Sequence, residues 1–386
     1  MENVKLKELV DIFLGVTHTP EYVFDGVPFL SVKDISDGEI SFDDCKYISQ
    51  EEYDSLSEGA KPKVGDMLFC RVGTLGKPII IPEGTPLFGS FVSLGYLRNK
   101  DASRCDMNYL RYWMYSNSFW QQVNANVKGA SQVNLNTGWL SKFDVVLPEM
   151  EQQKYRIATL DQCDMIIRKR KQQIEELDNL IKARFVELFG DQKDNPYEFT
   201  VGTLKDVADI YLGLTHTPTY VENGRPFLSV RDISSGVIDF SNCHYITEEE
   251  FNSLPKGARP ITGDLLFCRV GTIGKPVVVP KGIPEFGSFV SIGFLRKKDN
   301  VLNEYLKSWM EDPFFMKQVY DNVAGASQIN LNTGWLKNFR ILIPPIELQN
   351  QFAEFVYQVD KSKVFVQKAL NEAQMLFDSL MQQYFG

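Results

Sequence analysis

The chain is poor in the residues that build metal and disulfide sites, with three histidines and six cysteines among 386 residues and no CxxC motif. Four of the cysteines, Cys45, Cys70, Cys243 and Cys268, form two pairs at matching places in the two halves of the chain. This pattern favours free buried thiols over a disulfide framework. The His and Cys residues lack the spacing of a zinc site, so the sequence predicts no bound metal.

Long apolar runs are also missing. The longest are short strand-like stretches such as residues 78–82, far below the roughly 20 residues that a membrane helix needs. The first ten residues, MENVKLKELV, lack the apolar core of a signal peptide. We therefore expect a cytoplasmic protein with no membrane contact.

Positive charge is scarce, because 41 Lys and Arg stand against 50 Asp and Glu, for a net charge of -9. Affinity for nucleic acid of any sequence comes largely from cations that neutralise phosphates, so this balance counts against indiscriminate binding. A sequence-specific protein with local basic patches, or one that acts beside a more basic partner, stays open.

Several enzyme signatures are absent as well. Residues 73–78, GTLGKP, differ from a phosphate loop because the glycines are too close and proline follows the lysine. Residues 194–197, DNPY, lack the second proline of the amino-methyltransferase signature, and neither GxGxxG nor GxSxG occurs at a suitable place. The chain is therefore predicted not to be an enzyme, although a new kind of site in the loops of Arg71 and Gln132 stays open.

What the chain does have is a repeat that covers most of its length. LGVTHTP at residues 14–20 recurs as LGLTHTP at 212–218, an offset of 198 (216 minus 18). LFCRVGTLGKP at 68–78 recurs at 266–276, and GASQVNLNTGWL at 129–140 recurs at 325–336, each with one residue changed. Two large and nearly equivalent units indicate a target that also comes in two parts.

Turn and strand signals divide the chain into two mixed α and β units, each followed by a long helix, which is an α+β fold. The predicted boundaries are 1–148 for the first mixed unit, 149–190 for the first helix, 191–202 for a linker, 203–345 for the second mixed unit and 346–386 for the second helix. In the first unit we expect strands at 28–32, 66–72, 78–81 and 88–97, and one helix at 106–123 with Asp106 as its N-cap.

The long helices carry apolar residues at the period of a helix seam. In the first helix these are Leu160, Ile167, Ile174, Ile181 and Leu188; in the second they are Val356, Val359, Val366, Leu370, Ala373, Phe377 and Leu380. A helix of this length would span about 60 Å. Two interpretations are open: the helices pack on each other, or each is an independent surface helix.

Three polar clusters recur at turn-prone sites in both units. One joins Arg71, Thr74 and Lys77 to two glycines that allow a partner to approach the backbone. The second is the GASQVNLN element, whose Ser, Gln and Asn side chains can contact adenine edges or phosphates, and the third is Thr17, His18 and Thr19.

Each cluster also has a structural interpretation. Arg71 could act as a cap or pair with Asp66 instead of contacting a ligand. Gln132 and the asparagines near it could tie loops to backbone amides, and His18 could form a local turn hydrogen bond. The repeat does not decide between these interpretations, because a duplication preserves core and site alike.

In this order, the motifs resemble the specificity subunit of type I restriction-modification systems. The resemblance rests on the long helices that begin after a proline (LPEMEQQKYRIATLD from residue 147, IPPIELQNQFAEFVYQVD from 343), on the GxxQxNLN element, on the RxGTxGK loop and on the FGD…NP linker at 189–196. It covers the whole chain.

The resemblance implies two target recognition domains that alternate with two long antiparallel coiled-coil helices in a pseudo-twofold internal repeat. Each domain would bind half of a bipartite double-stranded DNA target. From the polar clusters and the cations near them, the residues that we expect to bind DNA are Thr17, His18, Lys33, Arg71, Thr74, Lys77, Arg98, Ser131, Gln132, Asn134 and Asn136 in the first unit, and Thr215, His216, Arg231, Arg269, Thr272, Lys275, Arg296, Ser327, Gln328, Asn330 and Asn332 in the second.

The resemblance also implies partners. Two modification methyltransferase subunits would flank this chain and restriction/translocase subunits would join them, so that S-adenosylmethionine, ATP and Mg are expected on the partners and no cofactor on this chain. Because the repeats are so similar, we expect a palindromic or near-palindromic target with a spacer of unspecified sequence. The alternative is a scaffold that binds proteins, not DNA, through its paired domains.

Overall fold

The computed structural model describes residues 2–35, 38–126, 134–323 and 329–386. The chain forms two compact units: unit 1 comprises Met1–Lys171 and Lys368–Gly386, and unit 2 comprises Gln172–Gln367. Each long helix therefore contributes one segment to each unit. No helix within the described ranges has the combination of length and apolarity that a membrane span requires.

The elements of unit 1 mix short strands with short helices. The strands are β1 Glu2–Lys5, β2 Val10–Leu14, β3 Tyr22–Val23, β4 Val27–Leu30, β5 Lys46–Ile48, β6 Met67–Cys70, β7 Gly76–Ile80, β8 Gly89–Ser90, β9 Leu94–Asn99 and β10 Asp144–Leu147. The helices are α1 Leu6–Leu9, α2 Gln50–Ser55, α3 Met107–Tyr115, α4 Asn117–Asn126, α5 Thr137–Leu140 and the start of α6 Met150–Phe189, with 3₁₀ turns at Val32–Ile35 and Glu58–Ala60.

These strands form three sheets. The antiparallel sheet β2-β9-β6-β7 stands beside a smaller sheet, β3-β5-β4-β8, in which β4 and β8 are parallel, and β1 pairs with β10. The main core lies between the first sheet and helices α3 and α4, where Trp113, Tyr109 and Phe119 are buried. Each such aromatic side chain stabilises the unit by about 1.5–3 kcal/mol through the apolar surface that it removes from water.

Unit 2 repeats this arrangement. Its strands are β11 Thr200–Thr203, β12 Ala208–Leu212, β13 Arg225–Leu228, β14 His244–Ile246, β15 Leu265–Cys268, β16 Gly274–Val278, β17 Gly287–Ser288, β18 Ile292–Lys297 and β19 Arg340–Ile343. Its helices are α7 Leu204–Val207, α8 Glu248–Ser253, α9 Asn303–Glu311, α10 Pro313–Asn322, α11 Thr333–Leu336, the end of α6 and the start of α12 Ile346–Phe385, with 3₁₀ turns at Val230–Asp232 and Lys256–Ala258. The sheet orders β12-β18-β15-β16 and β14-β13-β17 match those of unit 1, apart from the short strand β3. Strand β11 begins three residues before the predicted start at 203, because residues 200–203 pair with β19.

The single helix predicted at 106–123 is two helices. Asp106 is the N-cap of the first, as expected, since its side chain accepts a hydrogen bond from the backbone N–H of Asn108 at 2.9 Å. At Ser116 the backbone is extended, and the Ser116 hydroxyl donates to the Trp113 carbonyl and accepts from the N–H of Phe119. The break recurs in unit 2 at Asp312, where Pro313 begins the next helix.

The strand predicted at 88–97 is also interrupted. Residues 89–90 and 94–99 are separate strands, and the chain between them turns so that β8 pairs with β4 while β9 joins the larger sheet. The other predicted strands are present at 27–30, 67–70 and 76–80.

The long helices pack on each other within each unit, where their segments run antiparallel. In unit 1, Arg156 near the start of α6 donates to the carbonyl of Tyr384 near the end of α12, at 2.8 Å. In unit 2, Phe185 near the end of α6 packs on Phe352 near the start of α12, with ring centroids 5.6 Å apart. The interpretation as independent surface helices is therefore wrong.

A buried glutamine joins each long helix to its mixed domain. In unit 1, Gln153 accepts from the backbone N–H of Asp106 at 2.9 Å and donates to the carbonyls of Arg104 and Pro148. In unit 2, Gln349 makes the equivalent three bonds, to residues 300, 302 and 344. This contact explains why each proline-led helix carries a glutamine in its first turn.

Candidate functional site

The first predicted cluster lies on the turn between β6 and β7. The pairing of Cys70 with Gly76 closes the turn, and Gly73, Gly76 and Lys77 adopt positive φ angles of 70°, 79° and 48°. A positive φ is unusual for lysine and fixes the direction in which its side chain leaves the turn. Thr74 is exposed and Lys77 is half-buried.

The turn between β15 and β16 has the same geometry. Gly271, Gly274 and Lys275 have φ angles of 70°, 83° and 50°, and Thr272 and Lys275 are exposed. Within the described ranges, neither Lys77 nor Lys275 forms an ion pair with a carboxylate. Both turns therefore present a cation and a hydroxyl that are available to a ligand.

Arg71 and Arg269 lie beneath these turns and are 8% and 7% exposed. The Arg71 guanidinium donates from Nε to the carbonyl of Leu135 at 2.9 Å and from Nη1 to the carbonyl of Val92 at 2.7 Å. Arg269 makes the same two bonds, to Leu331 at 2.8 Å and to Val290 at 2.5 Å. Burial lowers the pKa of both arginines.

The alternative that Arg71 pairs with Asp66 is wrong, because Arg98 holds that carboxylate. Arg98 donates to Asp66 from Nε at 2.9 Å and from Nη2 at 2.7 Å, and this partner raises the pKa of Arg98. Arg296 and Asp264 form the same pair, at 2.9 and 2.7 Å. Because Arg98 and Arg296 are each engaged with a buried carboxylate, the geometry favours a structural role for these two arginines.

The asparagines that follow the GxxQ element divide between two tasks. Asn136 and Asn332 are N-caps, each accepting from the N–H of a glycine two residues later at 2.7 Å. Asn330 accepts from Nη2 of Arg269 at 3.1 Å, whereas its counterpart Asn134 is exposed. The predicted residues Ser131, Gln132, Ser327 and Gln328 lie outside the described residues.

The cluster at Thr17 and His18 is an exposed loop after β2, and Thr215 and His216 are exposed at the matching place after β12. A Cβ atom on Gly15 or Gly213 would overlap the carbonyl oxygen of Ser90 or Phe289, which explains the glycine that precedes each loop. The His18 imidazole lies 3.9 Å from a carboxylate oxygen of Glu52.

Lys33 and Arg231 lie on equivalent 3₁₀ turns and are exposed. Lys33 donates to the carbonyl of Asp44 at 2.7 Å, and Arg231 donates to the carbonyl of Asn242 at 3.0 Å. Each side chain is therefore held along the surface by the loop that follows its turn.

The segment that brings these clusters together, residues 90–93 in unit 1, was not predicted to belong to a site. Val16, next to the Thr17 loop, accepts from the N–H of Val92, whose carbonyl accepts from Arg71. The Ser93 hydroxyl accepts from the N–H of Val32, next to Lys33. Residues 288–291 make the same contacts in unit 2. The sequence signal that could have indicated this segment is GSFVS, which is identical at 89–93 and 287–291. It has no charged residue that would mark it as part of a binding site.

The structure therefore gathers four of the predicted segments around one short connection in each unit. They are the Thr17 loop, the Lys33 turn, the Arg71–Lys77 turn and residues 134–136 before α5, and their unit 2 counterparts are gathered in the same way. We call this group of segments the polar face of each unit. Within the part of the chain that the structure describes, no group of three or more His, Cys, Asp or Glu residues is arranged to hold a metal ion.

Comparison with known proteins places this arrangement in a family. The chain is 28% identical over 172 residues to a Methanocaldococcus jannaschii protein described as a type I restriction enzyme MjaX specificity subunit, covering 43% of this chain and 40% of that protein. It is 22% identical over 260 residues to the MjaVIII specificity subunit of the same organism, covering 62% and 60%. These matches span less than two thirds of either relative. A third relative, the Escherichia coli EcoBI specificity subunit, is 20% identical over 392 residues, covering 93% of this chain and 78% of that protein.

Solved structures share the fold. The S subunit of a type I restriction-modification system from M. genitalium superimposes with a TM-score of 0.56 at 14% identity, covering 100% of this chain and 96% of that one. A second structure, from a study of complex assembly in the type I system, also gives 0.56, at 17% identity and coverages of 100% and 97%. The family model for the type I restriction modification DNA specificity domain matches residues 1–177 and again residues 196–374. Since both repeats match this model, the chain belongs to the family of type I restriction-modification DNA specificity proteins.

Proposed function

We propose that this chain is the DNA-recognition subunit of a type I restriction-modification complex, and that the polar face of each unit binds one half of a bipartite target. The observation that carries the proposal is the convergence of four polar segments around residues 90–93 and again around residues 288–291. Exposed Thr and His side chains can contact base edges, while Lys77 and Lys275 can contact phosphates.

The target of this subunit is a palindrome or near-palindrome interrupted by a spacer of unspecified sequence. The two polar faces have the same turn conformations, the same buried arginines and the same exposed THT loop, so they offer DNA similar chemistry, although Arg231 stands where unit 1 has Lys33. A pair of units with similar chemistry should prefer similar half-sites.

The chemistry of modification and cleavage belongs to partner subunits in this proposal. Methyltransferase subunits, two per chain, would supply S-adenosylmethionine and the methyl transfer, and restriction/translocase subunits would supply ATP-driven and Mg-dependent steps. This chain would position them on DNA without catalysing a reaction itself.

The long helices offer surfaces for recruiting the methyltransferase. Met165, Ile166, Met375 and Leu376 are exposed apolar residues on the helix segments of unit 1, and Val364 and Phe365 are exposed on α12 in unit 2. Contiguous exposed apolar residues on a protein surface mark interaction sites more often than single exposed apolar residues do.

Methylation mapping tests the proposal. The chain is expressed together with its methyltransferase in cells that lack other adenine methylation, and methylated adenines are mapped genome-wide. We expect methylation at bipartite sites with similar inverted half-sites. Two unrelated half-sites would contradict the palindrome, and a purified complex that retains no DNA would favour a protein scaffold.

Recruitment is tested by Phe365→Asp in the full chain, with Lys361→Asp as a control on the exposed surface of the same helix. We expect the first variant to lose methyltransferase on co-purification and the control to keep it. Equal retention by both variants would place the contact elsewhere.

A further inference from the structure

Each unit buries a positive charge without a negative partner. Arg71 and Arg269 are more than nine-tenths buried, and their hydrogen bonds go to neutral backbone carbonyls and, for Arg269, to the amide oxygen of Asn330. Among the described residues no carboxylate lies within ion-pair distance of either guanidinium, and the Nη2 atom of Arg71 has no hydrogen-bond acceptor.

The neighbouring arginines show how unusual this is. Arg98 and Arg296 are less buried than Arg71 and Arg269, yet each is matched to a buried carboxylate by two hydrogen bonds. A buried charge is costly unless an opposite charge compensates it. Because both units retain the uncompensated arginine at the same place, we infer that an anion completes its surroundings.

The turn above each arginine has the donors that an anion needs. In unit 1 the consecutive backbone N–H groups of Gly73, Thr74 and Leu75 donate to no acceptor in the described residues. The Thr74 hydroxyl is exposed, and the positive φ of Lys77 holds the start of that side chain in a fixed direction. Successive N–H groups in a turn of this kind form a concave site for an oxyanion.

Unit 2 offers the same donors at Gly271, Thr272 and Ile273, with Lys275 beside them. The turn differs from a nucleotide-binding phosphate loop in the spacing of its glycines and in the proline after its lysine. Its donors suit a single phosphate group, not a chain of phosphates.

We propose that each turn binds one phosphate oxyanion through its three backbone N–H groups, the threonine hydroxyl and the lysine, above the buried arginine. The source of the phosphate is the DNA backbone, so that each unit holds one phosphate at a fixed place in its half-site; this assignment rests on the proposed function. A free phosphate ion has the same chemistry, and the experiment below separates the two sources.

The first arm tests the site without DNA. Inorganic phosphate is titrated into the full chain labelled with ¹⁵N-glycine, and the amide signals of Gly73 and Gly271 are followed. We expect both signals to shift, and Lys77→Gln to weaken the shift at Gly73 alone. Lys275→Gln should likewise weaken the shift at Gly271 alone, and Lys281→Gln is its control, since it removes a charge of the same unit beyond the other end of β16. No shift at either glycine, or equal effects of Lys275→Gln and Lys281→Gln on the Gly271 signal, would overturn the proposal.

The second arm tests the source. The assembled complex binds duplexes in which one phosphate at a time is replaced by a neutral methylphosphonate. Lys77→Gln should weaken binding to the normal duplex and lower the slope of log affinity against log salt by about 1. At one position in one half-site, the methylphosphonate should make the DNA affinities of Lys77→Gln and the wild type equal. At one position in the other half-site, it should make the DNA affinities of Lys275→Gln and the wild type equal.

The outcomes separate the two proposals. Equality at one position in each half-site supports a backbone phosphate in both turns. If no position equalises variant and wild type although the complex binds DNA, the backbone assignment is overturned. If the complex binds no DNA while phosphate still shifts Gly73 in a Lys77-dependent way, the proposed function fails and the anion site stands. Thr74→Val, which keeps the charge and shape, should weaken phosphate binding as a second check that does not depend on lysine.

Discussion

The side-chain oxygen of Gln153 accepts a hydrogen bond from the backbone N–H of Asp106 at 2.9 Å, which ties the first turn of a 40-residue helix to the N-cap of another helix. Asp106 caps α3 with its side chain while its own N–H is satisfied by the glutamine. The orientation of the long helix in unit 1 is thereby coupled to the packing of α3 against the sheet.

Replacing this glutamine should loosen that coupling. Gln153→Leu leaves the N–H of Asp106 and the carbonyls of Arg104 and Pro148 buried without partners, and an unsatisfied buried group costs about 1–3 kcal/mol. We expect the thermal unfolding of unit 1 to shift to lower temperature. Gln152→Leu, on the exposed side of the same turn, should leave it unchanged. Equal destabilisation by both variants would contradict the role of the buried bonds.

The Arg98–Asp66 pair gives a second prediction. Arg98→Met leaves Asp66, which is almost fully buried, without its cation, and we expect a loss of about 2–4 kcal/mol in the free energy of unfolding. Arg104→Met removes an exposed ion pair with Glu2 and should cost less than about 1 kcal/mol. Denaturant unfolding of the two variants measures the difference. A cost at Arg98 no larger than the cost at Arg104 would contradict the stabilising role of the buried pair.

Variants at the asparagine caps allow an effect on stability to be distinguished from an effect on DNA binding. Asn136→Ala removes the acceptor for the N–H of Gly138 and should destabilise unit 1 by about 1 kcal/mol, whereas Asn136→Asp keeps the cap. The check is the melting temperature together with DNA affinity of the complex. If Asn136→Asp also restores DNA binding to the wild-type level, capping accounts for the residue; if only asparagine supports binding, it contacts DNA directly.

Glu58 makes unit 1 sensitive to acid. Hydrogen bonds from Lys63 and Arg98 lower the pKa of Glu58 below its usual value of 4.5. A lowered pKa in the folded state means that the charged carboxylate stabilises unit 1 above pH 4.5, and that this contribution is lost as the pH falls through the lowered value.

We therefore expect Glu58→Gln to lower the melting temperature of unit 1 slightly at pH 6. This difference in melting temperature from the wild type should vanish once the pH falls below the lowered pKa of Glu58. Unit 2 has lysine at the matching position, Lys256, and provides the internal comparison. High salt should shrink the difference, because the pair is exposed. A difference that grows with acid would have the wrong sign and would contradict the assignment.

Local signals predicted the parts of the fold that local forces decide. The N-cap at Asp106 follows from a carboxylate that precedes an amphipathic segment, and the two long helices follow from apolar residues at a regular period without glycine or proline. The break at Ser116 was missed because a serine hydroxyl can end a helix without any glycine or proline to signal it. In unit 2, Pro313 begins the helix after the equivalent break, and this proline was the available clue in the sequence.

The partners of the arginines depended on distant parts of the chain. Arg71 follows Asp66 by five residues (71 minus 66) and Arg98 is 32 residues away, yet only Arg98, on the adjacent strand β9, reaches that carboxylate. Arg71 points instead toward residues 92 and 135, which are close to it only because the sheet and the turn fold over each other. Sequence spacing carries no information about such contacts.

The amino-acid sequence by itself determined that this protein is a repeat of two mixed units with two long helices, because composition, periodicity and recurrence can be read along the chain without knowing which distant residues touch. It also determined the family, through the order of its motifs. Only the tertiary structure decided which polar residues maintain the fold and which remain available to a ligand. That division depends on which groups find partners across the chain, and folding alone brings residues 16, 71, 92 and 135 into contact.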